Sequence, residues 1–339
     1  MKKTKFNFSN FFSDEKLQLI TGQIFIGHGI LIAYELGLFR LISKSPMPIH
    51  KIAKKMHLHK RSIQALISCA SSLNLVKYNK NGYQLSPIGN SYLNEQKNGY
   101  YGNVFDLLIQ QNEIMNYESI KKVILTNLSK DHIGENLFNS EGLGNTESFV
   151  KALHHKALQP AFFWPYKLSL KNSNTFVDIG GGSGIHTISA CLKNSHLNGI
   201  VCERETVVPY TQQYIKDFDL ENRIKATAFN MWNDKFPKGD VYFFGDIFHD
   251  WNKEKCTLLA KKSFDSLPVG GMIILHEMLF NNSKTGPLLT SAYNMKMLIW
   301  TEGQQYSSKE IQDILKEAGF KKIKLMQSLG NWSLITGTK

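Results

Sequence analysis

The stretch Val177-Asp178-Ile179-Gly180-Gly181-Gly182-Ser183-Gly184 runs from a short apolar segment straight into a glycine-rich turn. Thr175 to Ile179 reads as a buried strand and His186 to Leu192 as a helix. The glycines between them let backbone amides approach a ligand with no side chain in the way. Working outward, the pattern repeats. Strands are expected at Gly199 to Cys202, Ile224 to Ala228, Val241 to Phe244 and Gly271 to Glu277, and helices at Val207 to Phe218, Lys253 to Leu267 and Ser308 to Ala318. Such alternation predicts an α/β fold with a parallel-dominated sheet, helices on both faces and ligands at the carboxyl ends of the strands. Lys321 to Met326 and Trp332 to Thr336 are expected to close it as an antiparallel edge hairpin.

A dinucleotide-binding GxGxxG beginning at Gly180 would need a glycine where Ile185 stands. The chain has Gly180, Gly182 and Gly184 instead, with Asp178 two residues ahead of the first. An acid there would repel a pyrophosphate but suits a ligand carrying an ammonium group, such as the methionine portion of S-adenosylmethionine. Glu203, one strand later, is placed to accept both hydroxyls of a ribose. Ordinary strand-end capping is the competing account of both acids.

The first third reads as helices from about Leu17 to Glu35, Ile49 to Met56 and Lys60 to Leu73. A hairpin turning at Asn81-Gly82 follows. This order is a winged helix-turn-helix, which either reads DNA or serves packing. Lys60, Arg61, Ser62 and Gln64 open the candidate recognition helix, whereas Ile63, Leu66, Ile67, Ala70 and Leu73 are plain core. Of a net charge of +12, Met1 to Tyr100 carries +10, from 14 Lys and Arg against 4 Asp and Glu. The lysines are scattered rather than clustered, which favours solvated helix faces over a nucleic-acid footprint.

Apolar residues make up 42% of the chain and aromatics 12%, enough to bury cores in two domains. Cys69, Cys191, Cys202 and Cys256 have neither disulfide nor zinc-ligand spacing, so no metal is expected. The basic start Met1 to Lys5 is followed by polar residues where a signal peptide needs an apolar run. Ile24 to Phe39 contains Gly27, His28, Gly29 and Glu35 and is expected to fall short of a membrane span. A cytoplasmic protein with no membrane association is the expectation.

The ordered set VDIGGGSG, Glu203, Asn230-Met231, Gly245-Asp246, His249-Asp250-Trp251 and Leu267-Pro268-Val269-Gly270-Gly271 resembles the class I S-adenosylmethionine-dependent methyltransferases of the caffeic acid and hydroxyindole O-methyltransferase type. The resemblance covers nearly the whole chain. It implies a Rossmann-like sheet preceded by a mainly α winged-helix dimerisation domain. The domains are then 1–98 for dimerisation, 99–171 as a helical connector to the acceptor pocket, and 172–339 for the cofactor. By resemblance, Asp178, Gly180, Gly182, Glu203, Asn230, Met231, Gly245 and Asp246 bind S-adenosylmethionine. Asn230 stands where an aspartate is often found near the adenine.

In the same family the residue matching His249 is the general base. With an ordinary pKa of about 6.5 it would be largely neutral at pH 7 and free to take a hydroxyl proton. Glu277 matches the carboxylate that orients it. A second orienting acid is replaced by an amide at Gln304 or Gln305, with Gln305 the expected participant. Phe149 and Leu153 resemble the wall between cofactor and acceptor, while Tyr293, Asn294, Met297 and Leu298 fall where acceptor contacts arise. The implied activity is methyl transfer to the hydroxyl of a small aromatic or polyketide-like metabolite by a homodimer of secondary metabolism. C- or N-methyl transfer, or a reaction without methyl transfer, is the alternative within the family. A ligand-sensing DNA-binding protein is the alternative of another class.

Overall fold

The computed structural model describes residues 13–127 and 146–339. The basic start of the chain and residues 128–145, in the span read as connector, lie outside the described residues. The chain divides into two compact units, Met1–Phe105 and Asp106–Lys339.

In the first unit, helices Glu15–Glu35, Leu38–Ser43, Ile49–Met56 and Lys60–Ser72 precede an antiparallel hairpin, β1 (Val76–Asn79) and β2 (Gly82–Leu85). This is the winged-helix order, with a short helix at Leu38–Ser43 that the sequence did not signal. Ile30, Phe39, Ile52, Ile63, Ile67 and Val76 form its core. Gly82 is required at the hairpin: its φ is +118°, and a Cβ there would lie 2.3 Å from the Met47 carbonyl carbon. Lys60, Arg61 and Gln64 are exposed, as the sequence suggested.

The helix Glu15–Glu35 overlaps the apolar stretch Ile24 to Phe39. An 18-residue window of it has a mean hydropathy of 1.4, so by length and composition alone it could cross a membrane, and 17% of that window is buried. Leu17, Ile20, Ile24 and Phe25 are all more than 60% exposed.

The second unit is built on a seven-stranded sheet of order β5-β4-β3-β6-β7-β9-β8. The strands are β3 (Thr175–Ile179), β4 (Asn198–Glu203), β5 (Ile224–Ala228), β6 (Val241–Gly245), β7 (Met272–Met278), β8 (Lys321–Gln327) and β9 (Trp332–Thr338). β3 to β7 run parallel, and β9 is antiparallel to β7 and β8. Both faces are covered, which explains the unbroken apolar runs of β3 and β6. Period-two alternation sends Val177, Ile179, Tyr242, Phe244, Ile273 and Leu275 into one core and Phe176, Phe243 and Ile274 into the other, where Trp164 packs against them. The last two strands form the expected antiparallel hairpin at one edge of the sheet. β9 buries Leu334 and Ile335 between its neighbours, while lysine-rich β8, with Lys321, Lys322 and Lys324, takes the edge, where charge discourages further pairing.

The strand order reverses between β3 and β6. The loops leaving those two strands diverge there and open a crevice at the carboxyl ends of the sheet. The glycine turn follows β3, and Asp246 to Asp250 follow β6.

Candidate active site

At the end of β3, Asp178 is buried and accepts a hydrogen bond on Oδ2 from Thr187 Oγ1 at 2.8 Å. Its Oδ1 has no hydrogen-bond partner among the described residues. Burial pushes its pKa up to about 7, against the Thr187 bond and with help from the charge of Glu203. Gly180 has a φ of +69° and passes so close to Ile247 that a Cβ would meet Ile247 Cδ1 at 2.5 Å. The Gly182 amide donates to Glu203 Oε1 at 3.0 Å, and Arg204 N donates to Oε2 at 2.6 Å. Burial raises the Glu203 pKa, and those two amides oppose the rise.

These residues fit S-adenosylmethionine. A buried acid oxygen awaiting a donor suits an ammonium group, and the glycine cradle excludes side chains. Glu203 keeps lone pairs beyond its two backbone bonds for hydroxyls. Asn230 is largely spent on its own turn, its Oδ1 accepting from Trp232 N at 2.9 Å and Asn233 N at 3.2 Å. Met231 reaches the Gly180 turn, its Cε 3.8 Å from where a Cβ would stand. Gly245 ends β6 against His186.

Asp246 is engaged by two side chains. Held at a φ of +55°, it accepts from Lys156 Nζ at 2.9 Å and from Trp332 Nε1 at 3.2 Å. Burial would raise its pKa, but Lys156 and His249 hold it well below the usual carboxylate range.

His249 sits on a short helical turn, Phe248–Asp250, and is buried. Its Nδ1 lies 2.6 Å from Glu277 Oε2, while Glu277 Oε1 accepts from the amides of Ile247 at 3.0 Å and Phe248 at 2.8 Å. Alternation along β7 turns Glu277 toward this loop and His276 the other way, against His186 and Ser328. His249 Nε2 is 3.6 Å from Asp250 Oδ1. Burial alone would lower the His249 pKa, but Glu277, Asp250 and Asp246 outweigh it and lift the ring to about 9. The three acids around the ring therefore favour its protonated form at pH 7, where an ordinary histidine would be largely neutral.

Gln305 makes no side-chain hydrogen bond to this ring. It is fully buried, its amide nitrogen and oxygen have no hydrogen-bond partner among the described residues, and its backbone N–H donates to Asn294 Oδ1 at 2.9 Å. Asp250, which the sequence reading left without a role, is the second acid beside the imidazole. The only signal for it was its place next to His249 in one tight turn. Ligand atoms of Asp246, His249 and Glu277 lie within 4.8 Å of one another, a grouping of metal-ligand type. Lys156, Trp332, the histidine ring and two backbone amides already engage these acids.

Beside the imidazole, helix Leu288–Trp300 presents Tyr293, whose ring centroid is 6.5 Å from that of His249. Phe149, on helix Thr146–Phe163, packs with Ile114, Ile120, Ile299 and Trp300. Leu153 is one turn along the same helix and partly buried. Met297 is buried, and its carbonyl caps the helix end at Thr301. Sequence reasoning missed Lys156 and Lys296. The first lies seven residues after Phe149, on the helical face that Phe149 and Leu153 define, and that spacing could have found it.

Residues 146–321 match the family model described as the O-methyltransferase domain. The chain is 25% identical over 313 residues to 3-hydroxy-5-methyl-1-naphthoate 3-O-methyltransferase of Streptomyces sahachiroi, covering 91% of this chain and 90% of that protein. It is 21% identical over 337 residues to the tetracenomycin polyketide synthesis 8-O-methyl transferase of Streptomyces glaucescens, covering 94% and 95%. Human N-acetylserotonin methyltransferase, crystallised in complex with SAM, superposes with a TM-score of 0.83 at 20% identity, covering 98% of this chain and 99% of that one.

Proposed function

Because the chain belongs to the O-methyltransferase family, we propose that it methylates a hydroxyl of an aromatic or polyketide-like acceptor, with His249 as general base and Glu277 as the residue that positions it. The 2.6 Å contact between His249 Nδ1 and Glu277 Oε2 carries this reading. The naphthoate and tetracenomycin relatives support the acceptor class.

Bound at the glycine turn, S-adenosylmethionine supplies an electrophilic methyl group on a cationic sulfur. Asp178, Glu203, Met231 and the turn from Gly180 to Gly184 are the residues that would hold it. Glu277 keeps the proton on Nδ1, leaving Nε2 to take the proton of the acceptor hydroxyl. Because the surrounding acids favour the protonated ring up to about pH 9, two states with the same proton count can react. One is neutral imidazole beside a hydroxyl, the other imidazolium beside an oxyanion. In either, the proton ends on Nε2 and the oxygen attacks with negative charge, held in line by the walls of the site.

The experiment is turnover with donor labelled at the methyl carbon and a hydroxynaphthoate acceptor, followed by carbon NMR of the product. Label on oxygen is expected. Label on carbon or nitrogen would favour the alternative chemistries, and no label transferred would overturn the function.

The exposed face of helix Glu15–Glu35, with Leu17, Ile20, Ile24 and Phe25, supports a homodimer in which a second copy covers it, since a contiguous apolar surface of this kind marks an interaction site. Native mass spectrometry should then find two subunits, and Phe25→Glu with Ile24→Glu should give monomers. A monomeric wild type would contradict this. The DNA-reading alternative has the exposed Lys60, Arg61 and Gln64 in its favour but nothing in the sheet unit.

A further inference from the structure

Two lysines share one aromatic wall of the acceptor side. Lys156 Nζ lies 4.5 Å from the Tyr293 ring centroid and Lys296 Nζ lies 5.6 Å from it. They come from different helices, Thr146–Phe163 and Leu288–Trp300, so the fold, and not chain adjacency, brings them together. Neither was demanded by the base or by the glycine turn.

Their charges are not balanced alike. Lys156 is matched by Asp246 at 2.9 Å, and Glu277 is matched by His249 at 2.6 Å. Asp250 lies 3.6 Å from His249 Nε2. Lys296 has no carboxylate within ion-pair distance and no hydrogen-bond partner among the described residues, although it is partly buried. Burial and the neighbouring Lys156 depress its pKa to about 8, with Asp250 and Asp246 drawing it back up from a distance. Holding an ammonium partly out of water without a counter-charge is unfavourable, and a bound anion removes that cost.

We propose that Lys296 recognises a carboxylate on the acceptor, so that the preferred substrate is a hydroxylated aromatic acid and not a neutral phenol. This rests on the O-methyltransferase reading of the site. Lys296 is assigned to the carboxylate, and His249 Nε2 to the hydroxyl being methylated. Tyr293, in contact with both lysines and close to the imidazole, lines the space between the two functions.

The test is calorimetric binding of two probes, 3-hydroxy-2-naphthoate and its uncharged amide 3-hydroxy-2-naphthamide, to the full-length protein saturated with S-adenosylhomocysteine. Wild type should bind the naphthoate about tenfold or more tightly than the amide, the size expected for a charge-assisted contact. Lys296→Met should abolish that preference while changing amide affinity by less than about twofold, and Lys296→Arg should retain it. Equal binding of both probes by wild type would overturn the proposal, as would a preference that survives in Lys296→Met or an equal loss for both probes. Because binding needs no turnover, failure here is separate from failure of the function, which would show as no labelled methyl on any acceptor.

Discussion

Replacing His249 with alanine is expected to lower kcat by about 100- to 10,000-fold, the usual contribution of a positioned general base, while the affinity for S-adenosylmethionine changes by less than about threefold. The separation follows from placement. The imidazole belongs to the loop after β6 and points at Glu277, whereas Asp178 belongs to β3 and the glycine turn follows that strand. Alanine also strips a buried carboxylate of its cation, leaving Glu277 Oε1 with the Ile247 and Phe248 amides but Oε2 without its partner. That orphaned acid costs stability, so His249→Asn, which keeps a donor at the site, is the companion variant. It should fold like wild type and show the same kinetic loss. Turnover within a few-fold of wild type in a folded variant would remove His249 from the chemistry.

Glu277→Gln is expected to cost about 1,000-fold in kcat, although it removes a single charge and almost no volume. The glutamine oxygen can go on accepting from the Ile247 and Phe248 amides, which turns its NH2 toward His249 Nδ1. An N–H facing Nδ1 demands a lone pair there and moves the ring proton to Nε2, the atom that has to receive the hydroxyl proton. The ring is then in the wrong tautomer, a fault known to cost several orders of magnitude when the orienting acid of a catalytic histidine is amidated. The double variant His249→Ala, Glu277→Gln should be little slower than His249→Ala alone, since the two act as one unit. Additive losses would mean that Glu277 works through something other than His249.

Much of the sheet and of the cofactor turn was legible because both depend on local pattern. The apolar runs of β3 and β6 have to be buried on two faces, and Gly180 stands at a backbone angle that other residues rarely adopt. The place of β9 was not legible: the hairpin was evident, but which strand takes the edge depends on how Leu334 and Ile335 meet β7. The acceptor side was the least legible. Lys156 meets Asp246 across 90 residues of chain, and Lys296 is unusual only through what does not stand next to it. The charge state of His249 was not legible for the same reason. Its sequence neighbours include Asp246 and Asp250, yet Glu277, which does most to lift its pKa, arrives from another strand.

The most direct measurement of the lifted histidine is the pH dependence of kcat/KM for the acceptor in wild type and Glu277→Gln. Below the pKa of the base the ring is imidazolium, so the rate should climb tenfold per pH unit and level off near pH 9 in wild type. In Glu277→Gln, with the nearest acid neutralised and burial left in place, the residual activity should level off well below that, toward or under the ordinary histidine value of about 6.5. An acid limb at the same pH in both enzymes would contradict the pairing of His249 with Glu277 as the source of the base.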